Sequence, residues 1–331
     1  MKRVLVLGLM LLVAGCGGGG KSDDPVQSLP DDAKIRDAVQ NATLPGKSEF
    51  PQPGGKTLEQ LANTLQAGPS LAMASSVFTV GDNRMAFGVI SKDGVPVYGK
   101  TAVYVAPTPS DPAEGPFVAP ADVLGTLPRY RSKQAALTTD PFYAVYGADV
   151  PLAKDGKYSV LSATMSSDGK LIGAPGSIDV LKKSADAIPQ VGQKPPKVHT
   201  DTLASAGGDV SKIDTRDPPS DMHAKDFADV VGKEPVALLF STPQLCSSRV
   251  CGPVTDIALQ MQAKYGSKMT FIHQEVYVDN DVQKGLRPPL QEFHLRTEPW
   301  LFVVNRQGMI TARLEGSIGV REFENAVKTG L

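Results

Sequence analysis

The sequence predicts two domains, an all-β sandwich followed by an α/β domain. Three observations carry this. The chain has 331 residues, enough for about two units that each bury a core. Its first half carries short, partly alternating apolar runs separated by Asp-Gly and Gly-Asp turns. Its second half reads apolar strand, amphipathic helix, apolar strand, then a proline directly before a further strand, a hairpin and a last helix. Hydrophobic residues make up 41% and charged ones 21%, ordinary globular usage that argues against disorder. The formal net charge is -1 and no basic stripe interleaves with aromatics, so no nucleic-acid partner is expected.

Taken in order, residues 1–15 read as a leader. Lys2-Arg3 precede an apolar run from Val4 to Ala14, too short for a comfortable transmembrane helix. Its end, Val13-Ala14-Gly15-Cys16, resembles the lipobox of bacterial lipoproteins. That resemblance implies a lipoprotein signal peptide, lipidation of Cys16, and anchoring on the extracytoplasmic face of the cell membrane. The other reading is an ordinary signal peptide with an incidental cysteine. Residues 16–56 open with four glycines, Gly17 to Gly20, and are expected to form a flexible tether and linker.

Residues 57–183 are assigned to the sandwich. Strand-like runs lie at 76–80, 84–91, 101–106, 142–150, 158–165 and 177–181. Gly81-Asp82-Asn83, Lys92-Asp93-Gly94, Lys154-Asp155-Gly156 and Ser167-Asp168-Gly169 supply the turns. Asp155-Gly156-Lys157-Tyr158 resembles the turn-then-Tyr element of immunoglobulin-like domains, which implies an immunoglobulin-like sandwich, here without an inter-sheet disulfide. Residues 107–130 are proline-rich and aperiodic, a surface excursion in which Gly115-Pro116-Phe117 is an exposed turn or a recognition tip. Nothing in this half groups into a catalytic cluster, so a binding or spacer role is expected.

Residues 184–196 are expected to link the domains and 197–331 to form the second. The apolar run 236–240 leads into a loop holding Cys246 and Cys251, and Gly252-Pro253 then opens a helix. A helix N-terminus favours negative charge, so it is expected to lower the pKa of Cys251. Arg249 either assists this or is a solvated loop arginine. Of the three cysteines, Cys16 is taken by the lipid, leaving Cys246 and Cys251 as the pair that an oxidising compartment would join.

Arg296-Thr297-Glu298-Pro299-Trp300, the following apolar strand, the Asn305-Arg306-Gln307-Gly308 turn and the terminal helix complete an order that resembles membrane-tethered thioredoxin-like proteins. The whole chain resembles actinobacterial lipoproteins that carry a β-sandwich before such a domain. The resemblance implies a cis Pro299, with Glu298 and Pro253 shaping the peptide site and extracytoplasmic protein thiols or disulfides as partners. It also implies thiol–disulfide exchange in which Cys251 attacks and Cys246 resolves, with no cofactor beyond the redox disulfide. The sequence departs from the pattern in places. Cys251-Gly252-Pro253-Val254 keeps only the first three positions of Cys-Gly-Pro-Cys, so the opposite order of the two thiols stays open. Leu245 and Leu239 stand where such proteins usually carry Trp and a buried acid. Two further readings remain: a redox-inert binding or scaffold lipoprotein stapled by Cys246–Cys251, and copper delivery through Cys246, Cys251 and His294. His273 is expected to be a satisfied core histidine, and His199 and His223 surface residues.

Overall fold

The computed structural model describes residues 29, 32–135, 142–246 and 249–331. The leader, Cys16 and the glycine run lie outside the described residues. The first domain contains helices α1 (Ala33–Ala42) and α2 (Leu58–Ala62). Its strands are β1 (Gln66–Ala67), β2 (Ser70–Met73), β3 (Phe78–Thr79), β4 (Gly81–Ile90) and β5 (Thr101–Ala106). They continue with β6 (Glu114–Val118), β7 (Ala121–Val123), β8 (Ala144–Leu152), β9 (Gly156–Met165) and β10 (Leu171–Leu181).

These strands form two sheets. One runs β1-β10-β9-β5-β6, with β3 also paired parallel to β10, and the other runs β2-β4-β8-β7. Met85, Phe87 and Val89 of one sheet share a core with Val103, Val105, Val160 and Val180 of the other, which is the packing of a sandwich. The outer face of the larger sheet is covered as well: Leu58 and Leu61 of α2 and Phe50 pack on Ala102, Tyr104 and Leu161. Cover on both faces is why every residue of β5 is buried and why it reads as a continuous apolar run.

Three sequence expectations are corrected here. Residues 32–56 are not all tether, because Val39 and Ala42 of α1 and Phe50 are buried in the sandwich cores. The 107–130 excursion contains β6 and β7, where the chain crosses from one sheet to the other, and Pro116 is buried in the edge strand β6 rather than exposed at a tip. Residues 184–196 are not a free linker: Gly192 N–H donates to the Ile310 carbonyl, Ile310 N–H to the Gln193 carbonyl, and Asp186 pairs with Arg313.

The second domain holds α3 (Phe227–Val230), β11 (Val236–Phe240), α4 (Cys251–Tyr265), β12 (Thr270–Gln274), α5 (Pro288–Glu292), β13 (Trp300–Val304), β14 (Ile310–Glu315) and α6 (Val320–Thr329). Its sheet runs β12-β11-β13-β14; β12 is parallel to β11 and the other pairs are antiparallel. Alternation splits β11 between two cores. Ala237 and Leu239 meet α4 and α6 on one face, while Val236, Leu238 and Phe240 meet α3 and α5 on the other.

The two domains are joined by buried polar contacts. Arg84 of β4 donates to both carboxylate oxygens of Glu322 at 3.0 Å and to the Glu315 carbonyl at 2.9 Å. Asp122 of β7 accepts from the Arg321 and Glu322 N–H groups at 3.0 and 2.8 Å, filling the cap that Gly319 cannot supply for α6. Gly316 sits so close to the Ala74 carbonyl, at a φ of +76°, that any side chain there would collide with it.

Candidate functional site

Cys251 is the first residue of α4, and Cys246 lies in the loop that approaches it. Both are thiols in this structure, and they are in hydrogen-bonding contact. Cys251 has no exposed surface, whereas Cys246 keeps 9%. The thiol of Cys251 is pushed well above its ordinary pKa, first by burial and then by Cys246, while the Thr242 N–H opposes the shift. This corrects one expectation: desolvation outweighs the helix terminus at Cys251, so its thiol is raised rather than lowered.

The first domain packs on α4 beside Cys251. The segment after β7 lies along α4: Leu127 N–H donates to Gln260 Oε1 at 3.0 Å, and Ser132 N–H to Asp256 Oδ2 at 2.8 Å. Gln134 then rests directly on Gly252, where a Cβ would stand 3.2 Å from the Gln134 carbonyl carbon. Arg216 locks this arrangement, its Nε donating to Asp256 Oδ1 at 2.9 Å and its Nη2 to the Tyr130 carbonyl at 2.7 Å.

A cleft of about 820 Å³ lies nearby between the domains. Met73, Leu124, Phe142 and Val145 of the sandwich form one wall, and Val250, Pro253, Tyr277 and Glu298 the other, with Arg249 and Arg296 at its border. The Glu298–Pro299 peptide is cis. Glu298 is pushed up to about 7, chiefly by burial and then by the neighbouring Cys246. The Tyr277 hydroxyl is also raised, by burial and then by Glu298 and both thiols, which places all four groups in one neighbourhood. Glu315 fixes the loop before Pro299 to the sandwich. It accepts from Thr297 Oγ1 at 2.7 Å and from the Ser76 and Val77 N–H groups at 2.8 and 3.0 Å.

Pro253 and Glu298 line this cleft, and Cys246 and Cys251 lie in the same neighbourhood as Glu298 and Tyr277. His294 is exposed, with a φ of +58°, just beyond α5. Among the described residues, the group of three possible metal donors within 4.8 Å is Asp214, His223 and His273, so the Cys246, Cys251 and His294 set does not converge. His223 is also not a surface residue, being only 2% exposed. Sequence reasoning missed Tyr277, Arg296 and the side-chain role of Glu298. The Thr-Glu-Pro context of Glu298 was the available signal.

The site thus combines a dithiol at the start of a helix, a cis Glu298–Pro299 loop and a mixed four-stranded sheet. No protein-family model matches the chain, and no curated protein matches it. Among solved structures it is similar to a protein described as the thiol:disulfide interchange protein DsbE from Chlorobium tepidum, at 16% identity and a TM-score of 0.32, over 43% of this chain and 98% of that one. It is also similar to a thiol:disulfide interchange protein of the thioredoxin family from Chlorobium tepidum TLS, at 16% identity and a TM-score of 0.29, over 44% of this chain and 99% of that one. A third similarity is to the PKD domain of an M14-like peptidase from Thermoplasmatales archaeon SCGC AB-540-F20, at 10% identity and a TM-score of 0.18, over 35% of this chain and 95% of that one.

Proposed function

We propose that the chain is a thiol–disulfide exchange protein in which Cys246 attacks and Cys251 resolves. The observation that carries this is the contact between the two thiols at the start of α4, with Cys246 the more exposed and Glu298 beside it. Cys246 loses its proton to solvent, and its thiolate attacks one sulfur of a substrate disulfide. A Cys246–substrate disulfide forms, the substrate S–S bond breaks, and the departing sulfur takes a proton from solvent. Cys251 then attacks the Cys246 sulfur and passes its proton to Glu298. The second substrate sulfur leaves and takes that proton. The substrate has gained two electrons, and the protein holds a Cys246–Cys251 disulfide. The same steps run backward when the protein starts oxidised.

The order of the thiols is tested by trapping. With a disulfide-bonded model peptide, Cys251→Ser should accumulate a mixed disulfide at Cys246, visible by intact mass, and Cys246→Ser should not. The reverse pattern would overturn the assignment. No adduct on either variant, with a Cys246–Cys251 potential below about -300 mV, would make the pair a structural staple.

Two further features belong to this reading. The sandwich is read as immunoglobulin-like, because β2-β4-β8-β7 facing β10-β9-β5 follows the ABED and GFC arrangement. In the turn before β9, Lys154 N–H donates to the Tyr158 hydroxyl at 3.2 Å. The chain is also read as lipid-anchored through Cys16 on the extracytoplasmic face; no described helix is long and apolar enough to cross a membrane. Membrane release on Cys16→Ser, with loss of a lipid-sized mass from the N-terminal peptide, checks the anchor.

A further inference from the structure

The second domain contains a polar cluster that the exchange chemistry does not use. Asp214, His223 and His273 are 3%, 2% and 0% exposed and lie beneath the β11–α4 connection. Asp214 and His223 come from the stretch between residues 199 and 226, which holds little regular structure; His273 is on β12. Asp214 Oδ2 is 3.1 Å from His223 Nε2 and 3.6 Å from His273 Nδ1, and the three donor atoms lie within 4.8 Å of one another. Donors bound at about 2.0–2.1 Å to one tetrahedral zinc ion stand roughly 3.3 Å apart, so the two Asp214 distances are near those of a filled site.

Proton accounting points the same way. His273 Nε2 lies 3.0 Å from the Ser241 carbonyl, an acceptor, so that nitrogen carries a hydrogen. Its Nδ1 has no hydrogen-bond partner, and it faces the carboxylate. A neutral ring in this position turns a lone pair toward a carboxylate oxygen, which is repulsive unless a cation lies between them. A ring whose outer N–H is held by a backbone carbonyl while the inner nitrogen is left bare is how metal-bound histidines are oriented. The carboxylate is held just as firmly, accepting from Ser220 N–H at 2.7 Å on Oδ2 and from Arg216 N–H at 2.8 Å on Oδ1. Ser220 Oγ, 3.4 Å from His223 Nε2, is placed to complete a fourth position.

We propose that Asp214, His223 and His273 form a closed structural site for a divalent metal ion, with zinc the ion their two imidazoles and one carboxylate suit best. Its position explains what it would hold. The Ser241 hydroxyl is 2.8 Å from Thr255 Oγ1, which donates to the Cys251 carbonyl at 2.8 Å. The cluster therefore braces the start of α4 from behind and ties the long irregular segment to β12. The proposal stands apart from the exchange reading, since neither thiol is a ligand.

The test uses the full chain carrying Cys246→Ser and Cys251→Ser, so that neither thiol near the cluster can bind the ion. After loading with zinc chloride and desalting, elemental analysis should find about one equivalent per chain. The further substitutions Asp214→Asn or His223→Gln should lose it. In case those variants do not fold, X-ray absorption of the zinc-loaded double-serine chain should show only nitrogen and oxygen neighbours at about 2.0–2.1 Å. Chelation should lower its melting temperature, and zinc should restore it. No retained zinc, or zinc still held after Asp214→Asn in a folded chain, would overturn the site. So would nitrogen-15 spectra showing His273 protonated on both nitrogens in the presence of zinc, which would make the cluster a buried imidazolium–carboxylate pair.

Discussion

Replacing Arg216 by methionine tests how the first domain is held over the dithiol helix. Arg216 and Asp256 pair at 2.9 Å with side-chain exposures of 3% and 0%, and Arg216 also serves the carbonyls of Tyr130 and Pro218. Methionine keeps much of the volume but leaves a buried carboxylate with the Ser132 N–H and hydroxyl as its remaining side-chain partners. Breaking a buried pair in this way costs about 3–5 kcal/mol. The loss should depend on pH in a definite direction. Asp256 is already pushed up to about 6 from 3.8, by burial against the opposing pull of Arg216. A carboxyl whose folded pKa lies above its unfolded one binds more protons when folded. The wild-type chain thus loses this part of its stability as pH rises from about 4 to about 6, by up to about 1.4 kcal/mol per unit of difference. Without Arg216 the folded pKa rises further, so the penalty should be largest above pH 7 and shrink toward pH 5, where the carboxyl takes up a proton. Guanidinium unfolding followed by the fluorescence of Trp300, the single tryptophan, measures it directly. A loss below about 1 kcal/mol at pH 7.5, or an equal loss at both pH values, would refute the reasoning. Adding Asp256→Leu should recover much of the stability, because an apolar pair carries no desolvation cost.

Other outcomes follow from the same geometry. The exchange rate of the reduced wild-type protein should rise through an inflection near pH 7, where Glu298 ionises; Glu298→Gln should remove that inflection and slow turnover on the order of 100-fold, read with a fluorogenic disulfide peptide. Phe302→Ala should cost about 3–5 kcal/mol in a denaturant titration, since this ring is fully buried and packs against Phe240, Phe293 and Trp300. Gly252→Val should push Gln134 away and speed alkylation of Cys251 by iodoacetamide; an unchanged rate would mean that Gln134 is not the cover.

Much of the second domain was legible because burial on both sheet faces writes itself as uninterrupted apolar runs. The runs in β11 and β13 are of this kind, and Pro299 marks the start of the latter. The Ser167-Asp168-Gly169 turn marked the β9–β10 hairpin, whereas Lys154-Asp155-Gly156 carries the chain from β8 to β9 in the other sheet. What stayed hidden depends on contacts distant in sequence. β6 and β7 are short and proline-bounded, so no period accumulates over them. Gly252, next to Cys251, is covered by Gln134, more than a hundred positions earlier, and no local pattern encodes that contact. His223 lies in an aperiodic polar stretch, and its buried ring meets Asp214, Ser220 and His273, which are brought to it only by the fold. The sequence spacing of Cys246 and Cys251 leaves the order of their proposed roles open, and the proposal draws that order from their unequal exposure.

The unequal exposure of the two thiols also bears on damage by oxidants. Cys246 keeps some surface and Cys251 none, so an oxidant such as peroxide is expected to meet Cys246 first. Sulfenic acid formed there condenses with Cys251 into a disulfide that a reductant can reopen, ahead of the irreversible sulfinic step. Burial therefore acts as a shield for one sulfur and, through it, as insurance for the other.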